Sequence, residues 1–443
     1  MDSPGGFPPS SQAMKIGILA QYLDTRPDIT ELINRLGETH RVVVFKKKGD
    51  AGEAFASPRT EIRTIDRRLS LQHKLWNVLF KAFGKIPRSR HNYFITEDFK
   101  IRNSPSYGRN FRTLWNRLLL WVNYHLPGWI SYDFFIRKMK DSVQADISDV
   151  DVFLCYTQIY DDGFLGRLPD TGKPVYVLVY SWDHPCKMKC FSRHPGVRYL
   201  VWNRDIENDL VTLQGIRREN ISPVGTSQFG YLHDYLHDSG PVSESPGFPY
   251  LYFAFSTGTL SLALQEMAVI RRLAGLLEKH WPEARLMLRP YPFFKHPELY
   301  SDLARLPNVR LEAAPPAQAG VPDRMRHKYG NMSRASAFLH FGTTLGVEAA
   351  FFGVPVIYLS LKEEKLHPGL YYFIHQYQND AYLHKSHFAN TAESFAACGE
   401  LFQNLRTGDP GLLAYNQALR ETFSCESFET YTRRIEKALT EGD

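Results

Sequence analysis

A short polar turn followed by a glutamate is the part of this sequence best suited to chemistry. Gly342, Thr343 and Thr344 stand between an apolar run and a helical pattern, and Glu348 comes one helical turn after Thr344. Free amide groups, two hydroxyls and the positive end of a helix dipole suit an anion such as a phosphate. A carboxylate at Glu348 can accept both hydroxyls of a ribose. This spacing predicts a nucleotide-diphosphate site.

The elements that must position this turn are a strand, a helix and a second strand. The apolar run Ala337–His340 predicts the first strand, residues 345–352 the helix, and Val356–Leu359 the second strand. Gly353 suits the C-terminal cap of the helix, and Pro355 stands just beyond it. A ligand at the turn would therefore lie at the carboxyl end of a strand, where open α/β sheets bind ligands.

Two further polar segments follow predicted strands in the same part of the chain. Ser256, Thr257 and Thr259 follow one apolar run, and Arg289 follows the next. Because carboxyl ends of parallel strands meet at one edge, we expect these groups to share a rim with the turn. Arg289 can hold a diphosphate with two hydrogen bonds. Taken singly, each segment also fits an ordinary turn or a surface salt bridge.

Candidate acid–base groups occur in the first half of the chain. Asp183 and His184 follow the predicted strand 175–180, and Asp24 follows the predicted strand 15–20. A base at such a position could deprotonate an acceptor hydroxyl. The alternative for Asp183 is a helix cap, with Pro185 in the first turn.

A histidine and cysteine cluster has the right side chains for zinc but an unusual spacing. His184, Cys186, Cys190 and His194 form an H-x-C-x3-C-x3-H pattern, which is not that of common zinc fingers. We predict no metal site, although the sequence leaves this cluster open.

The 443 residues exceed one ordinary core and predict two domains. Alternating strand and helix patterns in both halves predict doubly wound α/β sheets. The predicted boundaries are a disordered tail over 1–13, a first domain over 14–240 with a basic aromatic insertion at about 59–140, a linker over 234–250, a second domain over 250–420, and a helix over 421–443.

The charge is distributed unevenly. The whole chain has a net charge of +6, whereas residues 59–140 contain 17 Lys or Arg and 5 Asp or Glu. This excess indicates an anionic membrane or another polyanion, or a solvated insertion with a chance bias. No motif for reading nucleic acid accompanies it, so we predict no nucleic-acid partner.

Apolar residues at helical spacing lie inside this basic region. They predict a helix that lies in a membrane plane, lines an acceptor site or packs on its own domain. Five cysteines and the lack of a signal-peptide pattern predict a cytoplasmic protein, with association at the inner face of the cytoplasmic membrane as an open alternative. The apolar residues that define this predicted helix are Phe111, Leu114, Trp115, Leu118, Leu119 and Val122.

Three stretches of the sequence resemble the GT-B fold glycosyltransferases. They are 180–183 (YSWD), 289–292 (RPYP, similar to an Arg-x-His-Pro signature) and 342–356, which contains the turn, Glu348-Ala349 and a Gly-x-Pro-Val. The chain is most similar to bacterial surface-polysaccharide transferases and CDP-glycerol glycerophosphotransferases. It departs from them at Tyr291, where the signature often has histidine, and after Asp183, where the usual polar residues are replaced by His184-Pro185-Cys186.

This resemblance implies two Rossmann-like domains facing a central cleft, with a C-terminal helix packing back. It also implies a nucleotide-sugar donor bound in the second domain, with Glu348 on its nucleotide, and a lipid- or glycan-linked acceptor in the first. No cofactor beyond the donor, and no metal, is expected. The predicted function is glycosyl transfer in capsule, O-antigen or related polysaccharide synthesis. The alternatives are polyol-phosphate transfer of the CDP-glycerol type, sugar-nucleotide epimerisation, and a noncatalytic binding role.

Overall fold

The computed structural model describes most of the chain and contains two sheets with helices packed on them. This architecture confirms the doubly wound α/β class that the alternation of strands and helices predicted. The described residues are 13–20, 23, 26–47, 55–84, 111–157, 161–187, 191–238, 247–256, 259–291, 294–316, 318–377 and 390–441.

The first sheet contains the strands β1 (Lys15–Leu19), β2 (Arg41–Lys47), β3 (Thr60–Arg67), β4 (Val143–Gln144), β5 (Val152–Tyr156), β6 (Val175–Leu178), β7 (Val197–Val201) and β8 (Ile221–Pro223). Their order is β4-β3-β2-β1-β5-β6-β7-β8, and among the described strands only β4 is antiparallel to its neighbour. Val42 and Val44 enter one apolar layer, whereas Val43 and Phe45 enter another. Because both faces are buried, the central strands are continuous apolar runs.

The second sheet contains β9 (Tyr250–Ala254), β10 (Arg285–Arg289), β11 (Val309–Leu311), β12 (Ala337–His340), β13 (Val356–Leu359) and β14 (Thr391–Ala392). Its order is β11-β10-β9-β12-β13-β14. The chain moves from β9 to β10 and β11 on one side, and then to β12 on the other. The strand order therefore reverses between β9 and β12, and ligands of open α/β sheets bind at such a reversal.

The α-helices before β9 cover the first sheet or belong to the insertion, and those after it cover the second sheet or return to the first. They span Pro27–Thr39, Leu71–Phe83, Phe111–His125, Tyr132–Met139, Asp162–Arg167, His184–Lys187, Arg204–Asp209 and Gly230–His237, then Leu260–His280, Glu298–Leu303, Val321–Ser333, Leu345–Phe351, Pro368–Tyr372, Phe395–Thr407, Ala414–Thr422 and Phe428–Glu441. Among the described residues, none of these helices is long and apolar enough to cross a bilayer.

The basic aromatic segment leaves the first sheet later than its composition indicated. Residues 60–67 form β3, which extends the sheet beyond β2 and has mostly exposed or half-exposed side chains. Arg67 pairs with Val143, so the chain leaves and rejoins the sheet at one place. The excursion therefore covers residues 68–142 and starts and ends at the carboxyl end of β3.

Two helices after β14 connect the halves of the molecule. Helix Ala414–Thr422 packs on helix Leu345–Phe351, and Asn203 donates a hydrogen bond to the carbonyl oxygen of Thr422 at 3.0 Å. Helix Phe428–Glu441 then packs on the first helix and contributes Tyr431 to an apolar layer of the first sheet. This confirms that the helix packs back. Residues 234–237 of the predicted linker are helical, and 239–246 lie outside the described residues.

Candidate functional site

Polar groups from three neighbouring strands of the second sheet lie at one edge. Ser256 follows β9, Arg289 ends β10 and Gly342 follows β12. One side chain of the first half reaches this edge, because the Trp182 indole nitrogen donates to the Thr344 hydroxyl at 3.2 Å. The turn after β12 therefore faces the segment after β6, and a cleft between the two sheets is the candidate site.

The turn after β12 is organised by a buried histidine. The Nδ1 atom of His340 accepts hydrogen bonds from the amides of Gly342 at 2.9 Å and Thr343 at 3.1 Å. Burial lowers the pKa of His340 to about 3, so the ring is neutral and can accept them. We expected these two amides to be free for an anion, and the structure differs because the ring already occupies them. The Thr343 and Thr344 hydroxyls are the turn's remaining predicted anion ligands.

Glycine is required at two positions of this turn. Gly342 has φ +102°, a backbone conformation that side chains with Cβ rarely adopt. A Cβ atom on Gly346 would stand 2.8 Å from Nε2 of His340. The turn therefore depends on a close approach between the helix start and the histidine ring.

Arg289 belongs to a hydrogen-bonded group at the end of β10. Its Nη1 atom lies 2.6 Å from Oε2 of Glu312 and 3.4 Å from the hydroxyl of Tyr252. The other Glu312 oxygen accepts from Tyr252 and Asn331, both at 2.9 Å. This group orients the arginine, whose side chain remains 26% exposed. A guanidinium has five N–H donors, so Arg289 can hold an anion while paired with Glu312.

Glu348, the predicted ribose acceptor, is paired with a lysine that the sequence pattern did not reveal. The ammonium of Lys328 lies 2.6 Å from Oε2 of Glu348, and both residues are buried. Burial lowers the pKa of Lys328; the Glu348 carboxylate opposes this, and the positive charge of Arg289 adds to it. Two cations therefore lie near the predicted diphosphate position, and Glu348 balances one of them.

A second buried glutamate supports the segment after β9. The Ser256 amide donates to Oε1 of Glu266 at 3.1 Å, and Glu266 is fully buried in helix Leu260–His280. Burial raises the pKa of Glu266 to about 8, and the hydrogen bonds from Ser256 oppose that rise. Because of this raised pKa, the Glu266 carboxyl group is protonated at neutral pH. Thr259 stands at the start of the same helix, whereas Thr257 lies outside the described residues.

Glu266→Gln is expected to remove a pH dependence of stability. A carboxyl with a pKa of about 8 in the folded state and 4.5 otherwise stabilises the fold below pH 4.5 and loses that contribution as pH rises through 8. The loss is on the order of 3–5 kcal/mol between pH 5 and pH 9. Urea unfolding at pH 5, 7 and 9 measures it, with the exposed Glu400→Gln as control. Parallel pH profiles for wild type and Glu266→Gln would contradict the assignment.

The two acid–base candidates after β6 have different surroundings. Asp183 accepts a hydrogen bond from the Ser181 hydroxyl at 2.5 Å and directly precedes helix His184–Lys187, where a cap would stand. His184 is buried, and its Nδ1 atom lies 2.6 Å from the hydroxyl of Thr157, which follows β5. Asp183 adjoins Trp182 at the cleft, whereas His184 is held inside the first half. Asp24 lies outside the described residues.

An additional buried carboxylate near the cleft was missed. Asp28 accepts from the hydroxyls of Ser227 at 2.7 Å and Tyr180 at 3.2 Å, and burial raises its pKa. Burial also raises the pKa of Tyr329 in the second half, with added contributions from Glu348, Cys425 and Asp28. Carboxylates of both halves, Asp28 and Glu348, thus help to raise the pKa of Tyr329. In the sequence, Asp28 has the appearance of an ordinary first-turn acid beside a proline.

The histidine and cysteine cluster does not converge in the part that the structure describes. His184 bonds to Thr157, the Cys186 thiol donates to the Asp183 carbonyl at 3.1 Å, and His194 accepts from the Gly196 amide. No three His, Cys, Asp or Glu side chains form a metal site among the described residues, which exclude Cys190.

Comparison with known proteins finds similarity of structure alone. No protein-family model matches the chain, and no curated protein sequence matches it. Three solved structures each align with 97% of this chain at 10% identity and a TM-score of 0.50. They are a putative UDP-N-acetylglucosamine 2-epimerase from Listeria monocytogenes, matched over 97% of its chain, S. aureus MnaA in a co-structure with UDP, over 96%, and a glycosyltransferase from Rickettsia africae ESF-5, over 99%.

Structural similarity at such low sequence identity shows a shared fold and does not assign a reaction. The alignments extend over nearly the whole of each chain, so both sheets and the cleft between them are included. With its two Rossmann-like halves, the chain has the GT-B fold.

Proposed function

We propose that the protein is a glycosyltransferase that moves a sugar from a nucleotide-sugar donor to a glycan or lipid-linked acceptor. The biological setting that we propose is synthesis of a surface polysaccharide, such as a capsule or O-antigen. The observation that carries the proposal is the meeting of Arg289, the Lys328–Glu348 pair and the 342–344 turn at the strand-order reversal of the second sheet. Cations and hydroxyls at that place suit a nucleotide diphosphate.

In this proposal the second half holds the donor. Arg289 and the hydroxyls of Thr343 and Thr344 bind the diphosphate, and Ser256 and Thr259 complete the phosphate side. Glu348 accepts the ribose hydroxyls with its carboxylate, which has lone pairs beyond those used by Lys328. The cations stabilise negative charge that develops on the leaving diphosphate, a contribution that grows in a site with little water. Transfer by these groups would be independent of metal.

The first half then holds the acceptor and the base. Asp183 is the proposed base, because it adjoins Trp182, whose indole nitrogen donates to the Thr344 hydroxyl across the cleft. It would take a proton from the attacking hydroxyl. His184 would support Asp183 from inside the domain, and Asp24, which follows β1 in the sequence, is the alternative base. We also place the protein in the cytoplasm, at the inner face of the membrane.

An epimerase is the second candidate, because one of the similar structures is that of a putative UDP-N-acetylglucosamine 2-epimerase. It would use the same nucleotide site but would need no acceptor. Incubation of a binding sugar nucleotide without acceptor separates the two reactions. Formation of an epimer would replace the transferase proposal, whereas transfer only in the presence of an acceptor would support it.

A thermal-shift screen against nucleotides and sugar nucleotides, including CDP-glycerol, tests the nucleotide site itself. A ligand present at 100 times its Kd stabilises the fold by about 2.7 kcal/mol, which raises Tm measurably. We expect one base to be preferred and the matching nucleoside without phosphates to have little effect. Absence of any shift across the screen would contradict the proposal.

A further inference from the structure

The excursion over residues 68–142 contains a helix whose inner face is packed against a neighbouring helix. Helix Phe111–His125 packs on helix Leu71–Phe83, and Leu119 is buried on its inner face. Asn123 is fully buried there and donates to the carbonyl oxygen of Gly84 at 2.7 Å. These contacts fix the helix on the molecule, so its outer face is not needed for folding.

That outer face consists of large apolar side chains. Spacings of three and four residues place them on one side of the helix. Monomeric proteins rarely expose a continuous apolar row of this size without a partner. The side chains and their exposed fractions are Phe111 82%, Leu114 50%, Trp115 42%, Leu118 50% and Trp121 56%, and nearby Leu71 is 82%, Leu75 55% and Trp129 64% exposed.

The charge of the chain segment that contains this helix indicates the partner. From Arg67 to Tyr132 the sequence has twelve Lys or Arg and two Asp or Glu. A second copy would bring like charges together and is therefore disfavoured. An anionic bilayer complements both properties, since tryptophan rings sit at the level of the lipid headgroups and basic side chains are attracted to the surface.

We propose that the outer face of helix Phe111–His125 docks in the plane of an anionic lipid bilayer. The exposed apolar side chains enter the interface, and exposed basic side chains of the two packed helices, such as Lys74 and Arg117, contact the headgroups. The excursion starts and ends at the carboxyl end of β3, the same edge of the first sheet from which the segment with Asp183 leaves β6. Resting on the proposed function, this would bring a lipid-linked acceptor beside the cleft.

Vesicle co-sedimentation of the full chain tests the docking. The vesicles contain phosphatidylcholine alone or with 30% phosphatidylglycerol, at low and at high salt. We expect binding to the anionic vesicles to weaken with salt and to be much weaker on neutral vesicles. Leu118→Ser with Trp121→Ser is expected to lower the partition coefficient at least tenfold. The control, Leu264→Ser with Leu413→Ser, removes exposed leucines elsewhere and should bind like wild type.

Equal loss in both double variants, or binding that ignores lipid charge and salt, would overturn the proposal. So would a wild-type dimer, seen by light scattering, that the Leu118/Trp121 variant loses while vesicle binding stays absent. Nucleotide-induced thermal shifts are measured on the same variants. A wild-type protein that shows a nucleotide-induced shift but does not bind anionic vesicles refutes the docking alone, whereas a wild-type protein that binds vesicles but shows no nucleotide-induced shift refutes only the proposed nucleotide site.

Discussion

Arg289→Ala is expected to lower kcat/KM for the nucleotide-sugar donor by about 10²–10³-fold, the loss typical of removing one charge-stabilising donor. The guanidinium is held at the end of β10 by Glu312 and Tyr252, so it needs little reorganisation when a diphosphate leaves. Arg289→Lys should recover only part of the rate, because an ammonium cannot make the paired contacts of a guanidinium. Steady-state kinetics with the donor found by the thermal-shift screen measures both.

The control for this experiment is Arg285→Ala, at the opposite end of the same strand. Arg285 donates to the carbonyl oxygens of Pro282 and Ala284 and lies away from the cleft edge. Removing Arg289 also leaves Glu312 with hydrogen bonds from Tyr252 and Asn331 but without its cation. Urea unfolding of each variant therefore accompanies the kinetics. A folded Arg289→Ala enzyme with wild-type kcat/KM would remove Arg289 from the donor site.

Breaking the pair of Lys328 and Glu348 should have the largest effect on stability. Lys328→Met or Glu348→Gln alone leaves one buried group without its partner and should lower the free energy of unfolding by about 3–5 kcal/mol. The double variant should recover a large part of that loss, since both charges are gone. Urea unfolding of the four proteins in a double-mutant cycle measures the coupling between the two side chains.

The exposed pair Glu429 and Arg433, on helix Phe428–Glu441, is the matched control. Its double-mutant cycle should show no comparable coupling, because water screens exposed charges. The Lys328/Glu348 double variant also separates folding from binding. If Glu348 holds the ribose, that variant is folded but has lost the nucleotide-induced thermal shift. Additive single-variant effects, or a retained shift, would contradict these roles.

Much of the fold follows from local sequence patterns, with specific exceptions. The bounds of β12 and β13 were predicted as observed, because each is a short apolar run bounded by Gly, Pro or polar residues. Strand β3 was missed because charged side chains such as Glu61 and Arg63 interrupt it at the exposed edge. β14 has only two residues, too few for a periodic signal.

The candidate site was predictable where a residue follows a strand or, like Glu348, lies in the first turn of the helix after it, and not where it lies farther inside a helix. The rule that selects Arg289 at the end of β10 would also select Glu312, which directly follows β11. Lys328 and Glu266 stand inside helices, and their burial depends on packing between elements distant in sequence. The role of His340 was hidden for another reason. Its position at the end of a strand does not show that its ring turns back onto the amides of Gly342 and Thr343.

The return of helix Phe428–Glu441 to the first sheet has a consequence for biosynthesis. Tyr431 and Ile435 complete the apolar layer that contains Ile16 and Leu32. The ribosome completes β8 about 200 residues before it reaches this helix, a delay on the order of 10–40 s at ~5–20 residues per second. During that interval the nascent first sheet has one face partly uncovered. We therefore expect the first half of the chain to bind chaperones during translation. The apolar layer of its sheet is complete only after the second half has been made.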